Sequence, residues 1–325
     1  MSGLLGQELS NIRPGILPGL SVRIPVTLGR VMSDQDQLIR FMFEHAAVRG
    51  EIVTLDESWQ EVLRRSAYPP LLQTLLGELT AAAALLMASL KFVGSLILQM
   101  RSDTAIRLLV VEVTSSRGLR ATAKWQGEVT EADVRRLMQS GNLILTLDAQ
   151  EPGQQPWQGI VPLQGDTVAQ ALIHYMRQSE QIDTHMVLAA SDRRAAGLLL
   201  QRMPDQPQGD PDAWNRAVHL AATLTIDELL GLPSHQILTR LFHDETIRLF
   251  DPEPVTFHCD CSRERVANML RMLGQEEIAA VLSERETVEV TCEFCGKTYH
   301  FDAVDSAQLW LDRPGIVTGD GSVRH

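Results

Sequence analysis

The sequence predicts an α+β protein in which an N-terminal mixed-sheet domain surrounds a buried helix, followed by a helical linker and a small cysteine-containing C-terminal domain. Strand-length apolar runs surround one long Ala/Leu-rich run at residues 71–90. A polar, proline-rich break at residues 204–211 interrupts the pattern. All four cysteines follow that break, between residues 259 and 295.

Length and charge limit the possible classes of protein. A chain of 325 residues can form two domains with a sizeable core. Its net charge of −12 argues against nucleic-acid binding, because phosphate neutralisation requires a basic surface. The N-terminal residues have neither a basic segment nor a long apolar run, so we expect no secretion signal and a cytoplasmic location.

The first 203 residues divide into an irregular N-terminal extension, 1–33, and an α+β core domain, 34–203. At the start of this domain Leu38, Phe41, Met42 and His45 recur at helical spacing, although a strand is also possible for residues 38–43. Apolar segments predict further strands at residues 52–55, 95–100, 106–114, 119–125, 143–147, 157–163, 186–190 and 196–201. Helical patterns occur at residues 129–138 and 167–179, with Thr130 as an N-cap.

The run at residues 71–90 is apolar on most sides, which predicts a central helix covered by sheet. Its uncharged part, 79–90, has only 12 residues, too few to span a bilayer, so we expect a core helix rather than a membrane segment. Met87 on this helix is expected to pack in the core. His174 is expected to be a surface or half-buried residue rather than a metal ligand.

Residues 204–254 are predicted to form a helical linker, with helices at 213–230 and 234–242 separated by Gly231-Leu232-Pro233. These helices carry apolar residues but lead directly into the small cysteine-containing domain. The linker either packs on the first domain or is poised between folded and unfolded states.

The cysteines occur as two close pairs, Cys259-Asp-Cys261 and Cys292-Glu-Phe-Cys295-Gly-Lys, separated by thirty residues. Each pair supplies two ligands from one short segment, and one zinc ion bound by four thiolates is the usual occupant of such a site. Four free buried cysteines and a catalytic dithiol are the alternatives.

Two histidines, His258 and His300, flank the cysteine pairs. Four thiolates already complete a tetrahedron, so we expect these imidazoles to lie around the ligands or at the surface.

The surrounding sequence predicts a zinc-binding domain with a C-terminal tail, residues 255–325. Ser262 can cap a helix carrying Val266, Met269, Leu270 and Leu273, stopped by Gly274; Ile278, Val281 and Leu282 form a second apolar face; residues 287–292 and 297–301 form a hairpin. About 45 residues are too few for a core alone, so the metal should hold the fold. Residues 255–301 contain eight acidic and five basic residues, which disfavours a nucleic-acid zinc ribbon.

The same thiolates can react with oxidants, since a metal-bound thiolate is already deprotonated. Alternate Cα atoms of an extended segment lie roughly 6.6–6.8 Å apart, at the upper limit for a disulfide. A Cys259–Cys261 bond would therefore be strained and labile. Spacing alone does not distinguish a redox-responsive site from a structural one.

The cysteine spacing, with DQLIRFMFEHAAVRGEIV, LLGELTAAAALLMASLKF, GIVPLQGDTVAQAL, GLLLQRMP, CDCSRERV and CEFCGKTYHFD, resembles the 33 kDa chaperonin family over residues 36–312. The N-terminal extension, the turn Arg101-Ser102-Asp103-Thr104, where the family usually has glycine, and the final tail differ from the family pattern.

The resemblance implies an ATP-independent, redox-regulated holdase of the bacterial cytosol rather than an enzyme. The reduced protein would bind one zinc ion through the four cysteines and be inactive. Oxidation would form the disulfides Cys259–Cys261 and Cys292–Cys295, release zinc and unfold the zinc domain and linker. The exposed surface would bind unfolding client proteins during heat and oxidative stress, and the oxidised form would dimerise.

Two other functions remain possible from the residues alone. A thiol–disulfide oxidoreductase would use Cys292 and Cys295, but such enzymes usually place C-x-x-C at a helix N-terminus, whereas a hairpin is expected here. An interaction module with an unreactive zinc ion would use the same ligands.

Overall fold

The computed structural model describes residues 35–149, 155–204, 210 and 212–311. The chain divides into two compact units, one ending at His258 and the other beginning at Cys259. The predicted extension at 1–33, most of the break at 204–211 and the tail after Asp312 lie outside the described residues.

The first unit is built from two six-stranded sheets and helices. Its strands are β1 (Gln37–Phe43), β2 (Val48–Leu55), β3 (Ser95–Arg101), β4 (Ile106–Thr114), β5 (Gly118–Trp125), β6 (Asn142–Asp148), β7 (Trp157–Pro162), β8 (Thr184–Ala190), β9 (Ala195–Arg202), β10 (Ile247–Leu249), β11 (Glu253–Pro254) and β12 (Thr256–Phe257). Its helices are Glu57–Leu63, Pro70–Ser89, Glu131–Ser140, Val168–Tyr175, Ala213–Ala221, Ile226–Gly231 and Ser234–Leu241, with a π-helical turn at Met176–Glu180.

The first sheet has the order β10-β1-β2-β9-β8, with β11 also pairing with β1, and the second has the order β12-β5-β4-β3-β6-β7. All neighbouring pairs are antiparallel except β12 with β5, which is parallel. The predicted strands are therefore confirmed. The glycine-free turn between β3 and β4 is stabilised by the Ser102 hydroxyl, which donates to the carbonyl of Ile106 at 2.6 Å.

The helical interpretation of Leu38–His45 is wrong, and the alternative, a strand, is correct. Leu38 on β1 packs in the core around the central helix, while Ile39, Phe41 and Phe43 pack in a second core on the opposite face of the sheet. Because both faces are covered, apolar residues occupy successive positions and obscure the two-residue period of a strand.

The helix Pro70–Ser89, the central helix, lies among the buried side chains of both sheets, as predicted. Its length and composition alone would allow it to cross a membrane. The prediction that the apolar segment is too short, with 12 uncharged residues, was wrong because the helix also includes Glu78 and the residues before it. However, 78% of its most apolar window is buried within the protein, which favours a core helix. Met87 packs in this core, and His174 is half-buried, as expected.

Two predicted helices have better-defined ends in the structure. Thr130 caps Glu131–Ser140 and forms a capping box with Asp133, as expected from its side chain. The helix expected over 167–179 ends at Tyr175 and continues as the π-helical turn, where the buried Tyr175 hydroxyl donates to Glu180 at 2.7 Å.

Residues 213–257, the connector, pack on the first unit and form no compact unit of their own. The helix expected over 213–230 is divided before Ile226, where Thr225 and Glu228 form a capping box. Buried connector side chains cover the outer face of the first sheet: Ala213, Ala217, Ala221, Leu224, Leu229, Ile237, Leu238, Leu241, Phe242 and Ile247. Of the two alternatives for the linker, the structure therefore has the packed one.

Ion pairs add to this packing at the end of the connector. Glu253 pairs with Arg40 of β1 at 2.5 Å and with Arg117 of the β4–β5 turn at 2.6 Å. Arg194 pairs with Asp56 at 2.6 Å and also donates to the carbonyl of Leu230, near the C-terminus of a connector helix. The connector is thus fastened to the first unit by both apolar and charged contacts.

Replacing Phe242 by Ala should loosen the connector. Its ring is 2% exposed and lies edge-on to Phe43 at 5.1 Å between centroids, so truncation should cost about 3–5 kcal/mol of stability through the cavity it leaves. Urea unfolding should detect the loss, and hydrogen exchange should increase most in residues 213–249. Ile226→Ala is the control, since Ile226 is 60% exposed; equal destabilisation by both variants would contradict the packing argument.

Glu51 should make the stability of the first unit depend on pH. Burial raises the pKa of this carboxyl from 4.5 to about 7, although neighbouring Arg49 and Arg40 oppose the shift. Between these values the unfolded chain ionises Glu51 while the folded protein keeps it protonated, so stability falls as pH rises from about 4.5 to about 7. Glu51→Gln should remove a penalty of roughly 3 kcal/mol at pH 8 and little at pH 4. Denaturant unfolding across this range measures it; a pH-independent difference between variant and wild type would exclude Glu51 as the source.

Candidate metal centre

The second unit contains the helices Arg263–Leu273, Gln275–Glu284 and Ala303–Leu311 and a hairpin of β13 (Thr287–Thr291) and β14 (Thr298–Asp302). The first cysteine pair lies just before the first of these helices. Ser262 caps it by accepting a hydrogen bond from the backbone of Arg265, as predicted. Cys261 is therefore held one residue before a helix N-terminus, where the helix dipole favours a thiolate.

The second cysteine pair lies in the turn of the β13–β14 hairpin. The backbone N–H of Cys292 donates to Lys297 at 2.9 Å, and that of Gly296 donates to Cys292 at 2.8 Å. Gly296 has a φ of 71°, which a residue with a side chain rarely adopts. This arrangement differs from the helix-terminal C-x-x-C of thiol–disulfide oxidoreductases.

The four sulfurs converge on one point. All lie within 4.8 Å of one another, and all four thiols are free and partly buried. Cys259 and Cys292 are 3.7 Å apart, sulfur to sulfur, and Cys261 and Cys295 are 3.2 Å apart. A tetrahedral zinc site with Zn–S bonds near 2.3 Å has sulfurs about 3.8 Å apart. The sulfur positions and donor type thus fit a metal ion in a four-thiolate site.

The flanking histidines have other contacts. His300 is exposed, with Nδ1 3.2 Å from Glu289, and the backbone N–H of His258 donates to Leu119 in the first unit. The group of potential metal ligands found in the described part of the chain contains only the four cysteines.

The cysteine thiols have unequal proton affinities. Burial raises the pKa of Cys261, but hydrogen bonds from Tyr299 and from the neighbouring thiols outweigh it and bring the pKa to about 7. Burial, together with hydrogen bonds donated to neighbouring sulfurs, raises the pKa of Cys295 to about 12, against a backbone hydrogen bond from Lys297. In the metal-free cluster, Cys261 therefore loses its proton before Cys295.

A small apolar core lies beside the sulfurs. It contains Val266, Ala267, Leu270, Ile278, Val288, Tyr299, Phe301 and Leu309. The predicted apolar faces of the two helices included three residues that are not buried. Met269, Leu273 and Val281 are 38%, 52% and 39% exposed. The helix Ala303–Leu311 was not predicted, yet its Leu309 completes the core.

Sequence reasoning missed the role of Tyr299. Its hydroxyl donates to the sulfur of Cys261 at 3.2 Å, and its ring is only 6% exposed. The available signal was the alternation in Thr-Tyr-His-Phe-Asp, which places Tyr299 and Phe301 on the inner face of β14, directly after the second cysteine pair.

The cations near the cysteines have neighbours of their own. Arg263 lies over the ring of Phe301 and pairs with Asp305 at 2.7 Å, Arg265 lies 4.0 Å from Asp260, and Lys297 lies over Tyr299. These contacts favour the interpretation of the cations as ordinary structural charges.

The fold and this centre define a class of protein: a two-sheet α+β unit joined to a small module in which four cysteines lie close enough together to hold a metal ion. The family model described as "Hsp33 protein" matches residues 36–302.

The relatives named "33 kDa chaperonin" include two with about half of their aligned residues identical to this chain. That of Methylobacillus flagellatus is 50% identical, covering 90% of this chain and 100% of its own, and that of Chromobacterium violaceum is 49% identical, covering 86% and 95%. The chain belongs to the 33 kDa chaperonin, or Hsp33, family of heat-shock chaperones. The crystal structure of the 33 kDa chaperonin from Thermotoga maritima has the same fold, with a TM-score of 0.72, 24% identity and coverage of 84% of this chain and 97% of that one.

Replacing Cys292 by Ser should remove one of four metal ligands. We expect lower zinc affinity and loss of protease resistance in residues 259–311, because a structural four-thiolate site contributes an apparent 10–16 kcal/mol or so to folding. Metal content after dialysis against a chelator and limited proteolysis measure both effects. Thr291→Val changes the adjacent exposed residue and should preserve both properties. Unchanged zinc content and protease resistance in the Cys292 variant would count against this site.

Proposed function

We propose that this chaperone is an ATP-independent holdase controlled by the oxidation state of Cys259, Cys261, Cys292 and Cys295. The observation that supports it best is the convergence of four free thiols within 4.8 Å in a small module. The chain of that module continues directly from the connector, which covers an apolar sheet face of the first unit. Oxidation of the thiols would therefore affect the connector, which covers the apolar sheet face that we propose as the client-binding surface.

In the reduced state the four thiolates would hold one zinc ion. Bound zinc would compensate their negative charges and tie the segment before the first helix to the hairpin turn. The core of the module is small, so its fold would depend on this tie. The connector would remain packed and the chaperone inactive.

Oxidation would form the disulfides Cys259–Cys261 and Cys292–Cys295. Each disulfide would lie within its own short segment. Once the zinc ion has left, no bond would join the first cysteine segment to the hairpin. The cross-pairs Cys259–Cys292 and Cys261–Cys295 would keep these segments joined, although their sulfurs are close in the structure. We propose the local pairs because the family resemblance implies them, and because they, unlike the cross-pairs, would leave the two segments free to separate.

Opening of the module would release the connector, which makes up most of the linker predicted over residues 204–254. Its departure from the outer face of the first sheet would uncover Ile39, Phe41, Phe43, Val48, Ile52, Leu198 and Leu200. An apolar surface of this kind would bind unfolding clients by hydrophobic contact, without nucleotide.

The remaining assignments follow from this mechanism and from composition. Unfolded or partly folded proteins would be the partners, and the oxidised form would dimerise through newly exposed apolar surface. We propose a cytoplasmic location, since reduced, metal-bound thiols suit that compartment. A nucleic-acid or membrane partner is disfavoured by the acidic charge and by the burial of the central helix.

The test compares reduced protein with protein treated with peroxide at mild heat. We expect zinc release, followed with a chromophoric chelator, and suppression of light scattering when a guanidinium-denatured enzyme is diluted into buffer. Zinc release without suppression of aggregation would refute the holdase. Turnover of a disulfide substrate by substoichiometric reduced protein would instead support the oxidoreductase.

Two controls make the result specific. The double variant Cys292→Ser/Cys295→Ser cannot form the second proposed disulfide. Its suppression of light scattering should therefore be the same before and after peroxide treatment. Peptide mapping of the oxidised wild type should recover the two local disulfides. Recovery of cross-linked pairs instead would contradict the opening mechanism.

A further inference from the structure

The Tyr299 hydroxyl is the donor of a hydrogen bond to a potential metal ligand, the sulfur of Cys261, at 3.2 Å. The ring is 6% exposed and belongs to the apolar core of the module. Because the core fixes the ring, the hydroxyl has a fixed direction, and that direction is toward the sulfur.

Packing does not account for the hydroxyl. Phe301 occupies the next inward position of β14, is 2% exposed and fills the same core without a polar atom. A phenylalanine at position 299 would fill the same volume. The oxygen therefore serves an interaction other than packing, and Cys261 is its acceptor.

A hydrogen bond to a thiolate withdraws negative charge from the sulfur. The sulfur then attacks electrophiles more slowly, since the attacking electron pair is partly engaged with the donor. Donors around metal ligands also fix the orientation of the ligand atoms.

We propose that Tyr299 is a positioning residue that restrains the sulfur of Cys261 and so sets the oxidant concentration at which the thiol cluster reacts. The inference rests on the proposed redox function. It adds a residue outside the four ligands that determines how readily they are oxidised.

The restrained step has a simple balance. The Cys261 thiolate attacks one oxygen of hydrogen peroxide, the O–O bond breaks, and hydroxide leaves, giving a sulfenic acid. A second cysteine thiolate attacks that sulfur, and with one proton the hydroxyl leaves as water and the disulfide forms. Sulfur is oxidised by two electrons and peroxide is reduced. Tyr299 affects only the attack of Cys261 on peroxide, because its hydrogen bond engages the electron pair with which the sulfur attacks.

The test uses zinc-loaded full-length protein carrying Tyr299→Phe. At equal peroxide concentration we expect zinc release on the order of tenfold faster than in wild type, the effect of losing a hydrogen bond to a charged acceptor. Thr298→Val is the matched control, because it removes an exposed hydroxyl from the neighbouring residue, which pairs with Thr291 at 3.0 Å. Its rate should equal that of wild type.

A second readout separates this role from simple loosening of the module. Dimedone traps sulfenic acids, and mass spectrometry gives the share at each cysteine early in the reaction. Restraint of one sulfur predicts that Tyr299→Phe raises the share at Cys261, with unchanged spontaneous zinc loss to a chelator without peroxide. A uniform increase at all four cysteines, faster spontaneous loss or an unchanged peroxide rate would each overturn the proposal. These readouts require no client, so they stand apart from the outcome of the aggregation assay.

Discussion

Mutual repulsion among four sulfur atoms is the constraint on which the second unit depends. The sulfurs lie within 4.8 Å of one another, and two unit charges about 4 Å apart repel by about 4 kcal/mol at the effective dielectric of a protein surface. Four thiolates therefore cannot share this space without a compensating cation. Protons can replace the cation only in part, since Cys261 has a pKa near 7. The charge state of the sulfurs and the fold around them therefore depend on each other.

The two units differ in what holds them together. The first buries long apolar side chains on both faces of a sheet, so removing one contact leaves many others. Among its described residues, the second has a small core against which Cys261 packs. In the proposed mechanism, a change at the thiols would therefore remove a large share of what stabilises the second unit. The connector belongs structurally to the first unit, although its chain leads into the second.

Much of the fold could be predicted from the sequence because local patterns decide it. Thr130 and Ser262 cap helices through their own side chains, and the spacing of the cysteines specifies a shared site. Residues 38–45 were predicted to be helical because both faces of β1 are covered, so the two-residue period of a strand is hidden. That coverage is a property of the tertiary structure. The connector was undecided for the same reason, since an amphipathic pattern does not say what covers it.

The convergence of the four cysteines was predictable from the sequence, but the residues around them were not. Four cysteines in two close pairs specify the donor atoms. The contact between Tyr299 and Cys261 joins residues 38 positions apart and depends on how the hairpin packs against the helix. The contribution of Leu309 to the core depends in the same way on the unpredicted helix Ala303–Leu311. Such contacts follow from the assembled module rather than from any one segment.

The pairing of β1 has a consequence for synthesis of the chain. Phe41 on β1 is opposite Gly50 on one side and Leu249 on the other, so one neighbour is made within a few residues and the other some two hundred later. While the ribosome is still adding the intervening residues, the N–H and C=O groups along that edge have no strand from this chain to pair with. The nascent protein therefore passes through a period in which it carries an open sheet edge, the kind of surface that promotes aggregation. The first sheet can be closed at this edge only after residues 247–249 have been synthesised.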